Sequence, residues 1–118
     1  MKLLSNCFSV PIAVVAVTVT SPSVVFGQLN EVSGVNNTAN GNYGVIAGGL
    51  ANTINGNYSA VGGGMSNSAA GDHIGIHGGK ANIAFGSYST IAGGTYITAS
   101  GYAGAVGGGT LNHALGHW

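Results

Sequence analysis

Fixed charge is almost missing from this chain. Of 118 residues only Lys2, Lys80, Glu31 and Asp72 carry it, and the formal net charge is zero. Neutralising nucleic-acid phosphates takes several clustered Lys or Arg, so binding of that kind is excluded. General acid–base catalysis wants paired carboxylates, and Glu31 and Asp72 stand about three repeats apart. The single cysteine, Cys7, lies near the N-terminus, so no disulfide is expected to hold the rest of the chain together. No 3.6-residue apolar period survives the glycines, and no helix is expected after residue 27. The glycine pairs lack the Gly-Lys-Ser/Thr and following helix of a phosphate loop. Recurring Asp is absent too, which excludes calcium-binding roll chemistry. Two histidine pairs, His73 with His77 and His113 with His117, have i, i+4 spacing. On an extended strand that spacing is about 13 Å, too far for one ion. No catalytic residue, metal site or cofactor is expected.

The N-terminus is different in character. Lys2 precedes a short apolar run from Phe8 to Val19, interrupted by Pro11 and Thr18 and followed by Val25-Phe26-Gly27. A short positive start, a short hydrophobic stretch and small residues after it describe a secretory signal peptide, expected over residues 1–27. Residues 28–118 would then be an exported chain, secreted or at a cell surface, with no membrane anchor of its own.

What is abundant is glycine, 23 residues in all, and it keeps time. Gly41, Gly56, Gly71, Gly86, Gly101 and Gly116 recur every fifteen residues. A Gly pair follows seven residues after each of the first five, from Gly48-Gly49 to Gly108-Gly109. Self-similarity at a fixed period means a solenoid, here with full repeats over 41–115 and a partial repeat at each end.

Stacking the repeats makes columns. Ile46, Val61, Ile76, Ile91 and Val106 form a β-branched column suited to the inside of stacked strands. Ala39, Ile54, Ala69, Ala84, Ala99 and Ala114 form a second, mostly small inward column. Asn37, Asn52, Asn67, Asn82 and Asn112 share a column broken only by Ile97, and stacked amides can hydrogen-bond along the axis or sit at a corner. The Gly pairs and the lead Gly supply further turns, and each repeat is expected to hold two strands of about four to five residues. A third column carries Tyr43, Tyr58, His73, Tyr88, Ala103 and Trp118. Its aromatic and His members form a stripe along one edge, able to stack on itself or to meet a ligand.

The pattern Gly-x-Tyr-Ser-x-Val/Ile-x-Gly-Gly, clearest in Gly56–Ala70 and Gly86–Gly94, resembles the head repeats of trimeric autotransporter adhesins of the YadA type. The resemblance implies a left-handed parallel β-roll assembling as a homotrimer, with the Val/Ile and Ala columns in the trimer core. It also implies a bacterial surface protein whose head attaches to host matrix, host cells or other bacteria, through a matrix protein or a glycan. Similar repeats occur in phage tail fibres, so a structural fibre segment without its own ligand is the alternative. An ice-binding solenoid would want a flat Thr array, whereas Thr90, Thr95, Thr98 and Thr110 are scattered over several columns. The coiled-coil stalk and membrane barrel of such adhesins are not found in these 118 residues.

Overall fold

The structure is a computed structural model that describes residues 30–116. The expected signal segment, Cys7, His117 and Trp118 lie outside the described residues. Within them the chain winds as a parallel β-solenoid, one coil per fifteen residues, and contains no helix. One sheet stacks β1 (Glu31–Val32), β3 (Val45–Ile46), β5 (Ala60–Val61), β7 (Gly75–Ile76), β9 (Thr90–Ile91) and β11 (Ala105–Val106). The other stacks β2 (Thr38–Ala39), β4 (Thr53–Ile54), β6 (Ser68–Ala69), β8 (Ile83–Ala84), β10 (Thr98–Ala99) and β12 (His113–Ala114). After the first rung, partners stand fifteen residues apart: Ile46 opposite Val61, Ala69 opposite Ala84. A third line of contact runs through isolated parallel bridges at Val35, Leu50, Met65, Lys80, Thr95 and Thr110.

The strands are two residues long, not four to five. The reason is left-handed backbone at non-glycine residues. Tyr43, Tyr58, His73, Tyr88 and Ala103 have φ of 55–65°, as do Asn36, Ala51, Ser66, Ala81, Tyr96 and Leu111 at 55–62°. Each of these reverses the direction in which its N–H points. Strand residues donate to the following coil, as Thr53 does to the Asn67 carbonyl at 2.8 Å. The left-handed residues donate to the preceding coil, as Tyr58 does to Asn42 and Ser66 to Leu50, at 2.8 and 2.9 Å. An L residue in this conformation costs roughly 1–2 kcal/mol. The inter-coil bond satisfies an N–H that would otherwise be lost between coils, and this offsets the cost.

Two columns fill the coil. Ile46, Val61, Ile76 and Ile91 are buried from one sheet; Ala39, Ile54, Ala69, Ala84 and Ala99 are buried from the other. Each β-branched member contributes about 2 kcal/mol by leaving water. Val106 and Ala114, on the last coil, are only partly buried against this core. At the other end Asn30 stands in for a missing rung. Its Oδ1 accepts from Gly44 N at 2.7 Å and its Nδ2 donates to the Ala39 carbonyl at 3.1 Å. Below that last coil both columns are sealed inside one chain. This corrects the placing of Ile46, Val61, Ile76, Ile91, Ala69, Ala84 and Ala99 between chains: side chains with almost no exposed surface cannot form a contact with another copy.

Candidate functional site: an aromatic stripe on a hydrogen-bonded rod

A line of amides is buried within the rod, against the glycine pairs. Asn37, Asn52, Asn67 and Asn82 are buried, and their side chains form a continuous ladder. Asn37 Oδ1 accepts from the Asn52 backbone N–H at 2.7 Å and from its Nδ2 at 3.2 Å. Asn67 repeats the arrangement on Asn52, at 2.9 and 3.1 Å. Each Nδ2 also ties its own coil to the next: that of Asn67 donates to Gly63 O at 2.9 Å and to Gly79 O at 3.0 Å. Ile97 interrupts the ladder but keeps one bond, donating its N–H to Asn82 Oδ1 at 3.0 Å. Asn112 is exposed on the last coil and donates only to Gly108 O, at 2.7 Å.

A second ladder runs beside the stripe with the opposite polarity. Asn42 N donates to Asn57 Oδ1 at 3.0 Å, Asn57 N to Asp72 Oδ1 at 2.7 Å, and Asp72 N to Ser87 Oγ at 3.3 Å. Here the lower coil's amide reaches up to the next coil's side chain. This column mixes Asn, Asp and Ser, so no single residue type marks it in the sequence. Asn57 Nδ2 also donates to Asp72 Oδ1 at 3.1 Å, and Ser59 two residues on is buried.

The stripe itself is a column of stacked rings. Centroids of Tyr43 and Tyr58 lie 5.0 Å apart at 12° between planes. Tyr58 and His73 lie 5.2 Å apart at 14°, and His73 and Tyr88 4.6 Å apart at 6°. Ala103 would end the column, yet Tyr102, one residue earlier, places its ring 5.3 Å from that of Tyr88 at a 57° tilt. The chain therefore keeps five rings in a row by borrowing one from the adjacent column. That substitution is invisible to a strict column count. The rings remain open to solvent: Tyr43 is 38% exposed, Tyr58 58%, Tyr88 51% and Tyr102 45%. Left-handed backbone at Tyr43, Tyr58, His73 and Tyr88 sets these side chains at a corner of the coil rather than on a strand face. Asp72 and His73 accordingly sit in a bend outside the strands.

Chemically the corner offers ring edges, phenolic hydroxyls and neutral amides. Among the described residues no group of three or more His, Cys, Asp or Glu could hold a metal ion. Lys80 stands alone on the third line of contact, in a column whose Val35, Leu50 and Met65 are also exposed.

One polar group inside the rod is out of place. Ser59 Oγ lies 3.1 Å from Asn57 O and 3.2 Å from Gly71 O as donor, and accepts from Ile74 N at 3.0 Å. The equivalent Ser89 is equally buried, but its hydroxyl has no partner, because Gly104 N turns to Gly101 O instead. Ser89→Ala is expected to leave stability unchanged or raise it by about 1 kcal/mol, whereas Ser59→Ala lowers it by ~1–2 kcal/mol. Paired urea melts of the two variants measure the difference.

Comparison with known protein families, with curated proteins and with solved structures found no match.

Proposed function

We propose that the chain is the adhesive head module of an exported bacterial surface protein, a left-handed roll working as a homotrimer and without catalysis. The observation that carries this reading is the exposed row of in-register rings on a hydrogen-bonded rod. A rigid array of aromatic edges suits a repetitive ligand such as a matrix protein, a glycan or another cell's surface. The trimer draws support from apolar side chains that one chain leaves in water, among them Val35, Val45, Leu50 and Met65. A chain of this length buries little surface alone, and symmetric association is the usual remedy.

Replacing Tyr58 and Tyr88 together with Ser is expected to lower binding to matrix-coated or cell-coated surfaces while the β signal in circular dichroism persists. Loss of the β signal would instead make the rings part of the scaffold. The second reading, a structural fibre segment with no ligand, is favoured by one feature: the ring faces already satisfy each other.

A further inference from the structure

Away from the rings, one corner of the rod gathers hydrogen-bond donors. On each coil the glycine pair lies between the first sheet and the third line of contact. One copy reads His77-Gly78-Gly79-Lys80, where other coils have Ala47-Gly48-Gly49-Leu50 or Gly62-Gly63-Gly64-Met65. Gly78 O accepts from Nδ2 of the buried Asn82 at 3.0 Å. In a trans peptide the N–H points opposite to the C=O, and the described chain has no cis bond. The Gly79 N–H of that peptide therefore points away from the buried amide. Neither it nor the Gly78 N–H has an acceptor among the described residues. Gly79 is exposed, and nothing stands within 4 Å of where a Cβ on Gly78 would be. The amide ladder that ties the coils together thus turns carbonyls inward and leaves N–H groups outward.

Gly64 and Gly109 present the same N–H, because Asn67 and Asn112 take Gly63 O and Gly108 O at 2.9 and 2.7 Å. Only at Gly79 is charge added. Lys80 follows directly, is exposed, and is the single Lys or Arg of the described residues. His77, also exposed, precedes the pair, and Thr95 stands beside Lys80 across a parallel bridge. Carboxylates are kept away. Glu31 lies three rungs along the first sheet, and Asp72 Oδ1 is bonded to Asn57 N at the ring corner. We propose that this corner binds an oxyanion, a phosphate or sulfate group. The Gly79 N–H gives it direction, Lys80 Nζ supplies the opposite charge, and the His77 ring and Thr95 hydroxyl are further donors. With one full charge in open solvent, the Kd is expected to be on the order of 1 mM and to weaken as salt is added. The site goes beyond the adhesive reading and stands whether or not the rings meet a ligand.

Amide NMR spectra of the isotope-labelled protein test it, by titration with sodium phosphate and with sodium sulfate at constant ionic strength. The Gly79 resonance is expected to move and saturate, while those of Gly64 and Gly109 stay in place. Lys80→Met installs the residue that Met65 supplies one coil earlier, and should weaken binding about tenfold with the β signal in circular dichroism intact. Lys80→Arg should keep it. The anion can be free or carried on a polymer, so inorganic sulfate is compared with sulfated dextran at equal sulfate concentration. Saturation of Gly79 by both places a free anion at the corner, and saturation by the dextran alone places a polymer-borne one there. If Gly79 moves with neither, if Gly64 and Gly109 move as far, or if Lys80→Met binds as tightly as the parent, the site is wrong.

Discussion

Asn67→Ala is expected to remove about 4 kcal/mol or more of stability, most of what a domain this size possesses. Asn67 is 1% exposed, and its side-chain amide makes four bonds. Its Nδ2 donates to Gly63 O, Gly79 O and Asn52 Oδ1, at 2.9, 3.0 and 3.1 Å, and its Oδ1 accepts from Asn82 N at 3.0 Å. Truncation strands Asn82 N and takes the side-chain donor from Gly63 O, each at a cost of about 1–3 kcal/mol before relaxation, and leaves a cavity as well; Gly79 O keeps Met65 N and Asn52 Oδ1 keeps Asn67 N. Asn67→Ile should cost less, because the side chain refills the space in the manner of Ile97. Asn112→Ala, on the exposed last coil, should stay within about 1 kcal/mol. Urea midpoints for the three variants give the ranking. Equal effects at Asn67 and Asn112 would mean that the ladder contributes nothing to holding coils together.

Gly56→Ala should be as damaging, for a steric reason. A Cβ at Gly56 would stand 1.9 Å from the Gly71 carbonyl oxygen and 2.3 Å from its carbon. Both atoms belong to the backbone of the next coil, so no rotamer change relieves the clash. The coils must part, which breaks the bond from Asn55 N to Ala69 O at 2.8 Å. Gly64 adds a conformational demand, with φ of +91° and Gly79 O only 2.1 Å from its Cβ position. A loss of roughly 4 kcal/mol is expected at Gly56 or Gly64. Gly78 has nothing within 4 Å of that position, so Gly78→Ala is expected to change stability by less than about 1 kcal/mol. Thermal melts of Gly56→Ala and Gly78→Ala decide the matter. The two glycines of a pair thus have different duties: the second fits between coils, while at Gly48 and Gly78 the first faces open space.

The period was legible in the sequence because Gly at the coil-to-coil contact admits no substitute. The inward columns were legible because only β-branched or small residues suit a narrow coil. The strand lengths were not, since Tyr43, Ser66 and Leu111 have no residue-type preference for the left-handed backbone they adopt. Tertiary hydrogen bonding imposes that conformation, and no local signal announces it. The ladder of Asn42, Asn57, Asp72 and Ser87 was also hidden. It needs only an oxygen at a given height, which three residue types supply. Tyr102 escaped for a related reason: its ring, not its backbone position, completes the row.

The central claim is that, after the first rung, every coil hydrogen-bonds to the next in fifteen-residue register. Residue-resolved amide hydrogen exchange tests it most directly. Thr53, Ser68, Ile83 and Thr98 donate to Asn67, Asn82, Ile97 and Asn112 carbonyls at 2.8–2.9 Å and should exchange slowly as a set. Val45, Ala60, Gly75 and Thr90, at 2.8–3.1 Å, should form a second slow set with the same spacing. Protection that rises and falls with a fifteen-residue period is the predicted result. Protection with any other period, or none, would contradict the stacked solenoid.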